Sequence, residues 1–329
     1  MLSIFGPKVH ILSSKRNPVF FLFKPHTLTL AMATDSVQDN SRPTCPSCSR
    51  PTRVCLCTRF KTPILENTIA VTVLQHSLEK KHPLNSARIA TLGLKNINIA
   101  HVSDVISDAL FDIHFFKPDL DLGHHESVKN HKKFESLHPA DISFTIDKRG
   151  SVTSLVNNWS QSQDFDNFLV DKDVINGVQN GFTVKKMQRW SDGNYVQEFE
   201  MVVPSGSILL FPCENSIGIE DVDFNVKNLI VLDGTWAKAT RMYKENPWLR
   251  LFPHLKLDIG KLSVYGEVRR QPKAGYLSSI ESIVYTLKAI GKEDIEGLDC
   301  LLDVFESMIG DQRRCKNERL DFESSSSNM

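Results

Sequence analysis

The chain has 329 residues, of which 41% are hydrophobic and 24% charged. That is the profile of one or two globular domains and excludes a collagen, a coiled coil or a wholly disordered chain. Lys plus Arg equals Asp plus Glu, 39 each, so a nucleic-acid partner must be held by a local basic patch and not by the overall field. No stretch approaches the roughly 18 consecutive apolar residues of a membrane span; the longest candidate, Val19 to Phe23, is cut by Lys24 and Pro25.

Residues 1–34 contain no Asp or Glu and carry Lys8, Lys15, Arg16 and Lys24. An acid-poor, basic, Ser-containing leader reads as an organelle transit peptide or as a tail with no address. Met32 is a second plausible start, so the compartment is expected to be cytoplasm or nucleus from Met32 and mitochondrion or chloroplast if the leader is used. Residues 1–43 are taken as a disordered leader.

Cys45-x2-Cys48-x6-Cys55-x1-Cys57 follows, with Cys213, Cys300 and Cys315 scattered beyond. Without a secretory signal disulfides are disfavoured. Two close thiolate pairs suit one tetrahedral Zn(II), and four thiolates leave no open coordination position, so the metal is expected to be structural. Residues 44–62 form this knuckle, with Arg50 and Arg53 placed to offset thiolate charge.

Thr68–Leu74 is an apolar, β-branched run that predicts a buried strand ended by Gln75 and His76. A helix capped by Asn85 or Ser86 and a strand at Ile97–Val102 come next. Residues 117–200 are polar and predict an elaboration on the core, with hairpins turning at Gly150 and at Asp192-Gly193. Ser207–Phe211 and Asn228–Leu232 are apolar strands; Ala237–Glu245 is a helix stopped by Asn246-Pro247. Lys261–Tyr265 predicts a strand, Ser279–Ile290 and Leu298–Ile309 helices, and 313–329 a disordered tail. Strands alternating with helices indicate an α/β fold with a mainly parallel sheet. Ligands in such sheets sit beyond the carboxyl ends of the strands. The residues there are Gln75 and His76, Glu214 and Ser216, Asp233 and Thr235, and the Arg269–Lys273 loop.

Asp233-Gly234-Thr235-Trp236 is the sharpest feature: an acid at a strand end, a Gly for a tight turn, and a Thr at a helix start. Lys238 and Arg241 follow on one helix face, with Trp236 and Tyr243 as aromatic surface, which suits an anionic, stackable ligand such as RNA or else a helix cap beside a solvated basic face. Ser278-Ser279-Ile280-Glu281 fits a capping box.

These motifs resemble the DTW-domain proteins, tRNA-uridine aminocarboxypropyltransferases. The Asp-x-Thr-Trp signature matches residues 233–236, the four-cysteine motif matches Cys45, Cys48, Cys55 and Cys57, and Leu-Phe-Pro-x-Glu matches Leu210, Phe211, Pro212 and Glu214. Arg269 to Pro272, Leu277 to Glu281, and Gln75 to Glu79 with Asn85 complete five ordered blocks within about 44–312. Ser279 stands where Thr is common, Ser282 where Ala is, and Ser86 where Thr is, each keeping or adding a hydroxyl.

The resemblance implies a SPOUT-like α/β-knot core in a catalytic domain over 63–312. It implies transfer of the 3-amino-3-carboxypropyl group of S-adenosylmethionine to N3 of a uridine in tRNA, with 5′-methylthioadenosine released. Asp233 and Thr235 are then the catalytic candidates, with Asp233 as base or orienter. Leu210, Phe211, Pro212, Glu214, Ser216, Trp236, Ser279 and Glu281 are expected at the cofactor. Lys238, Arg241, Arg269, Arg270 and Lys273 are expected at RNA, with the 269–273 loop also suited to the cofactor carboxylate. His76 reads as structural. The competing readings are a SPOUT-like RNA methyltransferase and a non-catalytic zinc-containing RNA-binding adaptor.

Overall fold

A computed structural model describes residues 43–117, 140–158, 164–190, 192–269, 276–291 and 294–326. In chain order the elements are β1 (Ala70–His76), α1 (Ala87–Gly93), β2 (Ile97–Val102), β3 (Asp108–Phe115), β4 (Ile142–Asp147) and β5 (Val152–Asn157). Then come α2 (Phe165–Leu169), α3 (Lys172–Asn180), β6 (Gly181–Arg189), β7 (Tyr195–Pro204), β8 (Ser207–Leu210) and β9 (Asn228–Asp233). The chain closes with α4 (Trp236–Lys244), β10 (His254–Leu255), α5 (Ser279–Ile290) and α6 (Ile295–Ser326).

The strands form two five-stranded sheets, one parallel in the order β10-β8-β9-β1-β2 and one in the order β5-β4-β3-β6-β7, which is antiparallel throughout. The parallel strands are apolar on both sides because both faces are covered. Val71, Val73, Ile208, Leu229 and Val231 point into a core shared with α1, α5 and α6. The alternate residues Leu74, Leu209, Ile230 and Leu232 point the other way, into a core shared with α4 and with Phe111, Phe144 and Phe182 of the antiparallel sheet. The parallel sheet is thus a middle layer, with helices on one face and the second sheet on the other.

The expected strands at β1, β2, β8 and β9 and helices at α1, α4 and α5 are present, as are hairpins at Gly150 and Gly193 with φ of 81° and 86°. At Gly150 a Cβ would also lie 2.5 Å from the Lys244 carbonyl oxygen, so the β4–β5 hairpin closes on the end of α4 only because the residue is glycine.

Four expectations need correction. Only half of the strands are parallel: the polar stretch folds into a sheet that starts earlier, at Asp108, and buries its alternate residues on the core. Lys261–Tyr265 is not a strand. Leu262 is 77% exposed, and the Glu281 carboxylate takes Ser263 Oγ–H and Val264 N–H, which satisfies the segment locally and turns it at Val264–Glu267. The fifth parallel strand is instead β10. Finally, α6 continues to Ser326, past the expected stop, with Arg313 tied to Glu267 and Arg314 to Asp311. No helix among the described residues is long and apolar enough to cross a membrane.

Candidate functional site

β1 and β9 run side by side with Gln75 opposite Asp233, so both polar side chains emerge at the carboxyl edge of the sheet. Asp233 is only 5% exposed. Gln75 Nε2 donates to its Oδ2 at 2.9 Å, and Ser279 Oγ, in the first turn of α5, donates to its Oδ1. Burial pushes the Asp233 carboxyl above the usual carboxylate range; the two hydrogen bonds and Arg269 oppose this, and the charge of Glu79 adds to it.

Gly234 turns the chain into α4. Thr235 caps that helix, its Oγ1 accepting from Lys238 N at 3.3 Å, which leaves its hydroxyl hydrogen to donate. The Trp236 ring lies 4.4 Å from Tyr276, tilted by 56°. Together with Glu79, Arg269 and Ser279 these residues surround a cavity of about 390 Å³. Also lining the cavity, Arg269 grips Glu79 in a two-pronged pair at 2.7 and 3.2 Å. Its Nη1 also donates to Tyr265 Oη at 3.1 Å, and Tyr265 donates in turn to the Leu84 carbonyl at 2.6 Å. The bonds to Glu79 hold the guanidinium well above its ordinary pKa.

Beside the cavity, Asp104 collects Lys238 Nζ at 2.6 Å, Arg241 Nη1 at 3.1 Å and His76 Nε2 at 3.1 Å. His76 Nδ1 accepts from Leu78 N, so Nε2 bears the proton given to Asp104. Arg241 also holds Glu245 at 2.6 Å.

Of the residues expected at a cofactor or in catalysis, Asp233, Thr235, Trp236 and Ser279 meet at the cavity, and Arg269, expected at RNA, joins them. Leu210, Phe211, Pro212, Glu214 and Ser216 do not line it. Phe211 turns inward and stacks on Tyr243 at 4.4 Å, and Ser216 Oγ donates back to the Cys213 carbonyl at 2.8 Å. Glu281 is buried and committed to the Ser278 capping box and the Ser263–Val264 turn. Lys238 and Arg241 are neutralised by Asp104 and Glu245. Arg270 and Lys273 lie outside the described residues. Sequence reasoning did not single out Glu79, Tyr265 and Tyr276 as site residues. Glu79 falls in a matched block, whereas nothing local marks the two tyrosines.

At the other end of the helical face, Sγ atoms of Cys45, Cys48, Cys55 and Cys57 lie within 4.8 Å of one another. The pairs Cys45–Cys57 and Cys48–Cys55 are 3.8 and 3.7 Å apart. Tetrahedral Zn(II) with Zn–S bonds of about 2.3 Å separates its sulfurs by about 3.8 Å, so the four thiols fit such an ion. Backbone N–H groups of Cys48 and Ser47 bring the Cys45 thiol down to about 6, while burial pushes Cys57 up to about 12. Arg50 is buried next to Cys48 and Asp311, whereas Arg53 is exposed.

Two curated relatives carry the name tRNA-uridine aminocarboxypropyltransferase 2. The Drosophila melanogaster protein is 33% identical over 86 residues, which is 26% of this chain and 34% of that protein. The Mus musculus protein is 28% identical over 116 residues, 34% of this chain and 39% of that protein. The matched stretches therefore span little more than a third of either relative. No solved structure matches the chain. The DTW domain profile matches residues 42–120 and 159–313. That span takes in the cysteine cluster, β3, β6 and β7 as well as the cavity, and among the described elements it leaves out the β4–β5 hairpin and the end of α6. By that match, and by the cysteine cluster and cavity it encloses, the chain belongs to the DTW domain family.

Proposed function

We propose that this protein transfers the 3-amino-3-carboxypropyl group of S-adenosylmethionine to N3 of a uridine in tRNA, leaving acp3U and 5′-methylthioadenosine. The names of its relatives support the coarser part of this reading, aminocarboxypropyl transfer to a tRNA uridine. The observation that carries it is the Asp233 carboxylate, buried at the cavity wall with one donor on each oxygen. When bound, the donor supplies the electrophile: N3 of uridine gains a bond to the γ-methylene, and the carbon–sulfur bond breaks with its electrons going to sulfur.

The protein's own part is to position and to take a proton. An ordinary Asp, with a pKa of about 3.9, is a weak base toward an imide. Desolvation strengthens Asp233, and a cationic ligand in the cavity keeps it ionised until it is needed. Gln75 and Ser279 fix the carboxylate plane, and the free lone pair on Asp233 receives the N3 proton. Thr235 Oγ–H is placed to hold a uracil carbonyl. Trp236 and Tyr276 offer a face for adenine. Orientation decides which carbon next to sulfur reacts, and the cavity must turn the methyl away from the RNA side.

We further assign the four cysteines to one structural zinc ion and the parallel sheet to a SPOUT-like core. Since Lys238 and Arg241 are already paired, tRNA phosphates fall instead to Arg270 and Lys273 and to Lys80 and Lys81, which are exposed and directly follow Glu79 in the chain.

The test is incubation of the protein with unmodified tRNA and donor labelled separately in the methyl and in the aminocarboxypropyl carbons, followed by nucleoside mass spectrometry. Label from the aminocarboxypropyl chain is expected in uridine. Transfer of the methyl label instead would establish a methyltransferase, and transfer of neither would favour an RNA-binding adaptor.

A further inference from the structure

The Glu79–Arg269 pair joins residues 190 positions apart. A buried ion pair is often no better for stability than apolar packing, and this one forms a wall of the cavity instead of being sealed in a core. Glu79 is 8% and Arg269 23% exposed at the side chain. The pair is also braced: Tyr265 holds Arg269 while bonded to Leu84, and Asn85 Nδ2 holds the Glu79 carbonyl at 3.0 Å.

Neither charge is fully spent. A guanidinium has five N–H donors. Among the described residues Arg269 uses both hydrogens of Nη1 and one of Nη2, with no bond from Nε–H or the second Nη2–H. Each Glu79 oxygen accepts one side-chain bond among the described residues, which leaves it a second lone pair there. The result is a fixed positive and negative group side by side, 2.7 Å apart at the closest atoms. An α-amino acid presents its ammonium and carboxylate on one carbon with similar closeness and can lie antiparallel to such a pair.

We propose that Glu79 and Arg269 together bind the α-amino-acid end of the donor, the ammonium on Glu79 and the carboxylate on Arg269. This rests on the donor reading given above and extends it to a specificity-determining subsite. The charges agree with it. Glu79 and Arg269 cancel, so ionised Asp233 leaves the cavity one negative charge. The donor, with sulfonium, ammonium and carboxylate, carries one positive charge. An RNA phosphate is a poorer match for Arg269, because the Glu79 carboxylate held on the same guanidinium repels it.

Calorimetry without tRNA tests the subsite, using S-adenosylmethionine and 5′-methylthioadenosine, which lacks the amino-acid end. In the wild type the donor is expected to bind more tightly than methylthioadenosine. Arg269→Gln and Glu79→Gln each should weaken the donor by about ten- to a hundredfold, the range for a lost charged hydrogen bond. Both variants should keep methylthioadenosine affinity within about twofold, which also reports that they fold. If Arg269→Gln fails to fold, Arg269→Lys, which keeps the charge without the fork, is expected to lose part of the preference. Undiminished preference in the folded variants, or equal wild-type affinity for both compounds, overturns the subsite alone. Wild-type protein that binds neither compound overturns the donor reading and the subsite with it.

Discussion

Arg59 reaches Asp311 across 252 positions of sequence, its Nη2 donating to Oδ2 at 2.7 Å. Arg59 lies two residues beyond the last knuckle cysteine and Asp311 on α6, so the cysteine turn is fastened to the helical layer. Buried Arg50 adds its charge at 3.8 Å.

Asp311→Ala should leave Arg50 and Arg59 without their counter-charge. The expected cost is about 3 kcal/mol, as for other broken buried pairs, read by urea denaturation of metal-loaded protein. A change below about 0.5 kcal/mol would mean that the two arginines find water or other acceptors.

One zinc per chain is expected by elemental analysis. Cys48→Ser should abolish retention of the metal, because Cys48 is the most enclosed of the four sulfurs. A strong chelator should lower the melting temperature of the wild type and leave Cys48→Ser where it already is. Full zinc content in that variant would disprove four-thiolate binding.

Asp233→Asn should lower turnover by about a hundredfold or more while donor affinity falls far less. Its stability should move the other way. A carboxyl whose folded pKa is raised contributes stability that is complete below its unfolded pKa and is lost as pH rises through the folded value. At neutral to alkaline pH wild-type Asp233 is therefore a liability, and the amide should melt at or above the wild type. A clearly lower melting temperature at pH 8 would contradict the burial-raised pKa.

The acidic limb of the wild-type rate profile should lie above the ordinary carboxylate range, since Asp233 must be ionised to accept a proton. Ser279 and Gln75 hydrogen bonds favour the carboxylate, so removing either raises its pKa. Ser279→Ala should shift the limb to higher pH. A limb that stays in place would assign it to another group.

Gly150→Ala should cost about 2 kcal/mol or more, because it combines a left-handed backbone with a Cβ against the Lys244 carbonyl. Denaturant titration measures this. Zinc content should not change, since the hairpin lies on the opposite face of the parallel sheet from the cysteines.

The parallel layer was readable because Thr68–Leu74 and Asn228–Leu232 are apolar on both faces and end in polar residues, which few other environments require. The β4–β5 hairpin was readable from its turn. The short β10 was not, because two residues carry no period. Lys261–Tyr265 misled for the opposite reason: its alternation is real, but Glu281, distant in sequence, claims its backbone. In the site, Asp233, Thr235, Trp236 and Ser279 were legible as strand-end and helix-start positions. Leu210 ends the neighbouring strand and Phe211 to Ser216 follow it in a loop that does not line the cavity, which no local pattern reveals. Tyr265 and Tyr276 enter by tertiary convergence alone.

The register that sets Gln75 opposite Asp233 also imposes an order of assembly. The strands adjoin, yet 158 positions separate those residues, and the whole antiparallel sheet is synthesised between them. A nascent chain on the ribosome has no acidic pocket until β9 has emerged and slotted in beside a strand made much earlier. Such long-range closure folds slowly, so β1 waits with an open edge, and that interval is when a chaperone would matter most.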